Sequence, residues 1–234
     1  MGALDQLLRR NLLWRGGALG VALDALPSGF DVLDRELPGG GWPRQGLTEL
    51  LADEEGIGEL ALILPALARL TREGKRAVWL APPHEPYAPA IAAAGVDLVN
   101  LLIVRPEHRR DRLWAAEQAV RSGSCHALVA WLPRLRYVEL QRLAVAAQAS
   151  RAVAFVFRPL AAATQSSPAC LRLALAPTAG ELAVNIIKRR GAPLAAPLHL
   201  PLDRPFHVVG RARLSGTRAG AIAAARRLGL PIHA

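Results

Sequence analysis

The chain has 234 residues, of which 52% are hydrophobic, so it is long enough and apolar enough to bury one sizeable core. Its 29 basic and 19 acidic residues give a formal charge of +10, which permits contact with nucleic acid or an acidic partner but requires neither. A general preference for Arg explains the surplus equally well, because Lys188 is the only lysine beyond residue 75.

Cys125 and Cys170 stand far apart and join no Cys/His cluster, so the sequence predicts neither a metal site nor a disulfide framework. No uncharged apolar run reaches about 18 residues, the length that a membrane span needs. The charged, amphipathic start differs from a signal peptide. We therefore expect a cytoplasmic protein without a membrane partner.

The first predicted element is a short helix over residues 3–15, ending before Gly16. Its apolar residues recur at near-helical spacing, as Leu4, Leu7, Leu8, Leu12 and Trp14. We assign residues 1–25 to an N-terminal helical segment. Trp14 lies outside the predicted sheet, so Trp14 and Arg15 are candidate interface residues.

From residue 46 onward, apolar strands alternate with helices, after a short helix near 30–37 and a Pro/Gly turn at 38–43. The predicted strands are 46–52, 76–82, 101–106, 126–133 and 152–159, and the predicted helices are 60–74, 87–95, 109–122 and 136–149. This alternation predicts an α/β fold with a mainly parallel sheet and helices on both faces. Trp42, Trp79, Trp114 and Trp131 lie on apolar segments and are predicted core residues.

Two apolar runs at 171–177 and 181–191, joined by a short turn, predict an antiparallel hairpin at the C-terminal edge of the sheet. The core domain is therefore expected over residues 26–204. Residues 205–234 contain no acidic residue and are rich in Gly, Ala and Arg, which predicts a basic, flexible tail that is disordered or folds on a partner. Arg211, Arg213 and Arg218 are its candidate DNA or partner contacts.

Residues 52–59 lie where a phosphate-binding loop should be, between a strand and a helix. Such a loop needs glycines that turn backbone N–H groups onto the phosphates, a Lys for the β- and γ-phosphates, and a Ser or Thr for Mg²⁺. Ala52, Gly56, Gly58 and Glu59 stand in this loop, which contains no Lys, Ser or Thr. It contains four carboxylates instead, and each would repel an anion by about 4 kcal/mol at about 4 Å and an effective dielectric of 20.

We therefore expect neither ATP nor Mg²⁺ as a cofactor. The same carboxylates, on Asp53, Glu54, Glu55 and Glu59, could in principle bind a divalent cation. Acidic residues also favour a helix N-terminus for reasons of charge alone, and no His joins this group, so no metal site is predicted.

The segment LPSGFDVLDRELPGGGWPRQGLTELLADEEGIGEL at 26–60 resembles the first part of a RecA-type core, and the resemblance continues through 72–107, 122–135 and 185–198. It implies a RecA-like P-loop-type fold. Within that superfamily, several short segments resemble the ImuA family of translesion-synthesis accessory proteins, whose members are sometimes labelled SulA-like. They are Trp14-Arg15-Gly16, LPGGGWP (37–43), GIGEL (56–60), PALARL (65–70), SPACLRL (167–173) and KRRG (188–191).

The resemblance also shows which RecA functions fail to carry over. The phosphate-loop Lys falls near Gly58 and the Mg²⁺-binding hydroxyl near Glu59. The catalytic Glu falls on Pro83, two residues before Glu85, and the metal-binding Asp falls on Trp131. The first DNA loop is shortened to about 133–138, and the signalling Gln has no counterpart in 157–159. Together these losses favour a protein that does not hydrolyse ATP.

Lys188, Arg189 and Arg190 match a strand end that in RecA carries basic residues toward a neighbour's nucleotide. Here they are candidate contacts to DNA phosphate or to an acidic protein surface, although a solvated basic strand end explains them equally well. Arg158 and Arg172 are expected to add to the same face.

The ImuA resemblance implies a scaffold in damage-induced, error-prone translesion synthesis, within the SOS response. The implied partners are ImuB, an inactive Y-family polymerase relative, and an error-prone C-family DNA polymerase in the same complex; RecA and DNA are further candidates. Three alternatives stay open: a DNA-stimulated RecA-like ATPase, a regulator that binds RecA, and the division inhibitor that the SulA label suggests. A monomer or heteromer is favoured over a filament.

Overall fold

The computed structural model describes residues 24–192 and 194–202. In chain order the elements are β1 (Ala25–Leu26), α1 (Asp31–Glu36), β2 (Trp42–Pro43), β3 (Leu47–Leu51), α2 (Leu64–Arg72), β4 (Arg76–Leu80), α3 (Ala88–Ala93), β5 (Leu101–Val104), α4 (Arg109–Arg121), β6 (Cys125–Trp131), α5 (Tyr137–Ala149), β7 (Val153–Arg158), β8 (Leu171–Pro177), β9 (Glu181–Lys188) and β10 (Leu198–Pro201). Two 3₁₀ turns, Leu98–Asn100 and Leu160–Thr164, precede β5 and β8.

Eight strands form one sheet in the order β10-β9-β8-β3-β7-β6-β4-β5. Every neighbouring pair from β8 to β5 is parallel, and β8–β9 and β9–β10 are antiparallel. The predicted mixed α/β architecture with a mainly parallel sheet is therefore confirmed. The predicted hairpin is β8–β9, but it lies one strand inward from the edge, because β10 pairs outside it.

The sheet separates two apolar clusters, as the continuous apolar strands require. Along β4, Ala77 and Trp79 face one cluster while Val78 and Leu80 face the other, which is the period of two expected for a strand. Helices α1 and α2 pack on the first cluster, and α4 and α5 on the second. Both faces are thus covered, and the C-terminal ends of the parallel strands meet at one edge.

Helix α2 starts later than the sequence predicts. Residues 60–63 form turns, and the helix begins at Leu64 with Pro65 in its first turn. Proline has no N–H to donate and fits a first turn, whereas inside the predicted helix it would break a hydrogen bond. The delayed start leaves a longer loop after β3 than the predicted one.

The prediction that Trp114 belongs to the core is wrong, because 62% of it is exposed. Helix α4 buries Leu113, Ala116, Glu117 and Val120, which lie on one face of the helix, and Trp114 falls beside that face. The predictions for Trp42 and Trp79 are confirmed, since both are fully buried, and Trp131 is half-buried.

A two-stranded ribbon pairs β1, which precedes α1, with β2 at the end of the Pro/Gly turn. Gly41 lies so close to the Leu26 carbonyl that a Cβ there would collide with it. Glycine is therefore required at this position by close backbone approach. The ribbon places Trp42 under the sheet, where its ring meets Phe155 edge-on at a centroid distance of 5.1 Å.

Candidate functional site

The loop after β3 folds around one of its own carboxylates. The backbone N–H groups of Gly56 and Gly58 donate to the two oxygens of Glu59, each at 3.1 Å. Both glycines have positive φ, 75° and 100°, which turns their N–H groups inward. Glu59 is 9% exposed. N–H groups of the kind that cradle phosphate in a nucleotide loop are therefore occupied by an internal anion.

The other carboxylates of this loop point outward. Asp53, Glu54 and Glu55 are exposed, and Glu55 pairs with His84, beyond the end of β4, at 2.6 Å. This pair links the loop to the segment after β4, and both segments contribute residues to the lining of one cleft. A further anion entering here would meet the remaining negative charge.

The segment after β4 carries no free acid at the cleft. Ala81 has a φ of 53°, uncommon for a residue with a side chain, and its N–H donates to Val104. Pro83 lines the cleft. Glu85 forms an ion pair with Arg105 at 2.6 Å, and 79% of its side chain is exposed. The side chain that could replace a catalytic glutamate is thus engaged on the surface.

Trp131 ends β6 at the position where a metal-binding carboxylate would be expected. Its ring stacks on Phe157 at 5.1 Å with an interplanar angle of 15°, and meets Trp79 edge-on at 5.7 Å. The aromatic stack makes an apolar wall for the cleft, whose volume is about 240 Å³. A hydrated Mg²⁺ needs oxygen ligands, which this wall does not provide.

The residues of this cleft do not fit a bound nucleotide. No Lys faces the loop amides, Glu59 satisfies them, and the cleft beside them is lined by Asp53, Glu54 and Glu55. Within residues 24–192 and 194–202, no group of three or more His, Cys, Asp or Glu side chains is placed to hold a metal ion.

Arg158 and Arg172, predicted to extend a basic contact surface, are buried, each 6% exposed. Both bind Glu49 on the central strand β3: Arg158 Nη1 lies 2.6 Å from one carboxylate oxygen and Arg172 Nε 2.5 Å from the other. Arg172 also donates to three backbone carbonyls of the segment before β8, and Arg158 to Leu135 and Gln165. The expectation of an accessible position is therefore corrected for both, because their guanidinium groups lie inside the fold, where both bind Glu49 and only the Arg158 Nε lacks a hydrogen-bond partner.

Lys188, Arg189 and Arg190 lie at and just after the end of β9. Lys188 is exposed and donates to the Ser167 carbonyl at 2.7 Å, and Arg190 is exposed. Arg189 is mostly covered and forms an ion pair with Glu36 at 2.7 Å. Of the three, Lys188 and Arg190 remain available for a partner, while Arg189 ties β9 to α1.

A second basic group was missed by the sequence analysis. A groove of about 1000 Å³ lies between the start of helix α4 and the β6–α5 loop. Six arginines line it: Arg109, Arg110, Arg112, Arg134, Arg136 and Arg142. Its signal in the sequence is the density of arginine on either side of β6, which a net charge does not locate. The groove adjoins the cleft, since Arg112, Trp131 and Pro133 line both.

Some candidate residues lie outside the described part of the chain. These are Trp14, Arg15, Arg211, Arg213 and Arg218, together with the predicted N-terminal helix and C-terminal tail. Their roles, and the domain boundaries at 25 and 204, stay predictions. In the described ranges, no helix is long and apolar enough to cross a membrane.

Comparison with known proteins relates this chain to two groups. A family model described as "Cell division inhibitor SulA" matches residues 47–154. The chain is 36% identical over 101 residues to "Cell division inhibitor SulA" of Edwardsiella piscicida, covering 43% of this chain and 60% of that protein. It is 32% identical over 114 residues to "Protein RecA" of Picosynechococcus sp. PCC 7002, covering 49% of this chain and 32% of that protein.

A solved structure of SulA from Pseudomonas aeruginosa aligns with 24% identity and a TM-score of 0.41, covering 48% of this chain and 97% of that one. The chain thus spans 60% of the SulA relative and about a third of the RecA relatives. The residues matched by the family model run from β3 into β7 and include the closed loop, the arginine groove and all residues lining the cleft except Phe157, Arg158 and Pro159. The sequence matches support a RecA/SulA-like family for this chain.

Proposed function

We propose that this chain is a non-catalytic, ImuA-like accessory protein of damage-induced, error-prone translesion synthesis. In this role a RecA-like core offers binding surfaces to an ImuB-type Y-family polymerase homologue, which in turn brings an error-prone C-family polymerase into the complex. The core itself performs no phosphate chemistry and takes neither ATP nor Mg²⁺ as a cofactor.

The observation that carries the proposal is the closed loop. Glu59 binds the N–H groups of Gly56 and Gly58, so a phosphate would have to displace a covalently tethered anion. Displacement would also leave the buried Glu59 without its donors, at a cost of about 1–3 kcal/mol or more for a charged group. Loss of Lys, of the hydroxyl and of both acids leaves nothing to offset that cost.

The comparisons with known proteins support a role in the response to DNA damage. Similarity to RecA and to SulA fits a protein that acts in the response to DNA damage. The ImuA-like segments contribute particular structural features: LPGGGWP forms the turn that brings Gly41 against Leu26, and GIGEL closes the loop on Glu59. These two segments support the assignment to an ImuA-like protein, and neither contains a catalytic residue.

Nucleotide turnover tests the non-catalytic part. We expect the purified chain to release no phosphate from ATP above a heat-treated control, with and without single-stranded DNA. Turnover that stops when Glu85 or the 53–59 loop is changed would contradict the proposal and favour the RecA-like ATPase alternative.

Copurification tests the partner. We expect the full chain to retain an ImuB-type polymerase homologue through washes at moderate salt, and a chain ending near residue 205 to lose it. Retention by the shortened chain would remove the tail from the contact, and failure of both would contradict the scaffold role. Replacing Lys188 and Arg190 by Glu tests whether the exposed end of β9 contributes to binding of the polymerase homologue. DNA and RecA are assayed as further partners.

A second candidate is inhibition of cell division, favoured by the SulA family match over residues 47–154. It predicts that expression of the chain makes dividing bacteria filamentous and that the chain binds the tubulin-like division protein. Normal division at high expression, together with binding to the polymerase homologue, would exclude this candidate.

A further inference from the structure

Hydrogen bonds and ion pairs fix the arginine groove between α4 and the β6–α5 loop in one shape. Arg109, in the first turn of α4, donates from both Nε and Nη2 to the carbonyl of Arg134, which fixes the loop to the helix. Glu139 then binds Arg109 and Arg136 together, and its carboxylate accepts the Arg136 N–H at 2.7 Å. That N–H bond, with the two guanidinium groups, holds the pKa of Glu139 below its ordinary value, so the carboxylate stays ionised.

Charge in the groove is incompletely neutralised. Six arginines line it against two glutamates, Glu107 and Glu139. Arg142 is paired with the buried Glu117 at 2.9 Å. Arg110 has 86% of its side chain exposed and meets only Asp111, at 3.5 Å. In the described part of the chain Arg134 has no ion pair, so these two guanidinium groups can bind another anion.

The floor of the groove is apolar. Leu113 and Leu132 are 9% and 4% exposed, and Leu135 is half-buried beside them. Trp131 also lines the groove, but Phe157 covers one face of its ring. The groove therefore combines a rim that prefers carboxylates with a floor that prefers an aliphatic side chain.

From this combination we infer that the groove binds a short acidic segment of a partner protein, with one or two aliphatic side chains on the Leu113–Leu132–Leu135 floor and carboxylates on Arg110 and Arg134. Planar guanidinium groups match carboxylates in two-point contacts. This inference deepens the proposed function, because it names the chemistry of the partner's contact.

A nucleic acid strand fits the same surface less well. Single-strand binding sites combine basic grooves with several open aromatic faces on which bases stack. In this groove Phe157 covers one face of the Trp131 ring, which leaves the small imidazole of His108 as the exposed ring. The adjoining cleft carries Asp53, Glu54 and Glu55, so a strand continuing past Arg112 would meet like charge. A short segment avoids both difficulties.

Fluorescence anisotropy on the full chain tests the inference. The probes are a labelled Glu-rich peptide with leucines at helical spacing, the same peptide with Ser for Leu, and labelled oligo-dT. We expect the Leu peptide to bind, the Ser peptide to bind at least about tenfold more weakly, and R110E/R134E to weaken the Leu peptide by about tenfold for each arginine. L135S should weaken the Leu peptide but not the Ser peptide.

The matched control is R121E/R151E, which makes the same change of charge at exposed positions beside a different pocket. It should leave peptide affinity within about twofold at physiological salt, because charges beyond a Debye length are screened. Thermal unfolding of all variants checks that they fold alike.

The inference would be overturned if the Leu peptide did not bind, or if the Leu and Ser peptides bound equally well. It would also be overturned if R110E/R134E and R121E/R151E lost the same peptide affinity. A fourth contrary outcome is oligo-dT binding that R110E/R134E abolishes and that displaces the peptide. The last outcome would make the groove a nucleic acid site. The probes contain no polymerase segment, so failure here is distinct from failure of copurification, which concerns the scaffold role.

Discussion

Replacing Glu49 by Gln should be among the most damaging single changes in the sheet. Glu49 is fully buried on β3, and both oxygens bind guanidinium groups that are themselves buried, on Arg158 and Arg172. Gln keeps the size of the side chain but removes the charge, and its amide nitrogen would face a guanidinium donor. Two buried cations would then lack a counter-ion.

Breaking a buried ion pair by removing one partner costs about 3–5 kcal/mol. The backbone carbonyls that Arg172 also reaches keep part of its solvation, so we expect a loss near the middle of that range for the triad as a whole. For a chain of this size, about 4 kcal/mol lowers Tm by roughly 8–16 °C.

The matched control is Glu117→Gln, the same substitution at another buried glutamate. Glu117 is 2% exposed, but its partner Arg142 has 59% of its side chain in solvent and can be hydrated when the pair is lost. We expect a loss of about 1 kcal/mol or less. Differential scanning calorimetry and urea unfolding would measure both; shifts equal within about 1 kcal/mol would refute the argument that burial of the cations sets the cost.

Two further substitutions and the reactivity of one cysteine test the described contacts. Glu59→Ala should lower stability by about 2 kcal/mol and allow sulfate to raise Tm, whereas Glu54→Ala in the same loop should do neither; equal effects in a thermal-shift titration would show that the loop amides are not held by Glu59. Trp114→Ser should change the free energy of unfolding by less than about 0.5 kcal/mol, since the ring is largely exposed; a loss above about 2 kcal/mol would contradict that placement. Burial raises the pKa of the Cys125 thiol to about 12, so it should resist a thiol reagent at mildly alkaline pH until urea unfolds the chain, and rapid labelling of the native chain would be inconsistent with it.

The alternation of apolar strands and helices was enough to predict the parallel sheet, because burial on both faces leaves little room for polar residues in those strands. The two-residue strands β1 and β2 were not predictable, since a pair so short has no period to detect. Strand β10, Leu198–Pro201, was not predicted because it is short and has a proline immediately before it and another at its end. It forms because the exposed edge of β9 offers it backbone partners.

The site was predicted only in part, and the reason lies in which contacts are local. The absence of a phosphate-binding Lys and of a Ser or Thr could be seen in one segment, 52–59. The burial of Arg158 and Arg172 could not, because their partner is more than a hundred residues away; the one clue was Glu49, a carboxylate inside an apolar strand, which requires a buried cation. The arginine groove likewise joins two segments, around 109–112 and 134–136, that only the sheet brings together.

We predict that a single substitution at Gly58 would not create a phosphate-binding loop. A Lys at Gly58 would have to adopt a φ of 100°, where its Cβ would collide with Leu202. Even if it were accommodated, Glu59 would still hold the loop amides, and Trp131, stacked on Phe157, would still occupy the place of a metal ligand. The same edge of the sheet carries an acidic cleft beside a basic groove in which Arg110 and Arg134 are exposed. Of the two, the groove combines exposed positive charge with an apolar floor, which is the combination that fits an acidic segment with aliphatic side chains.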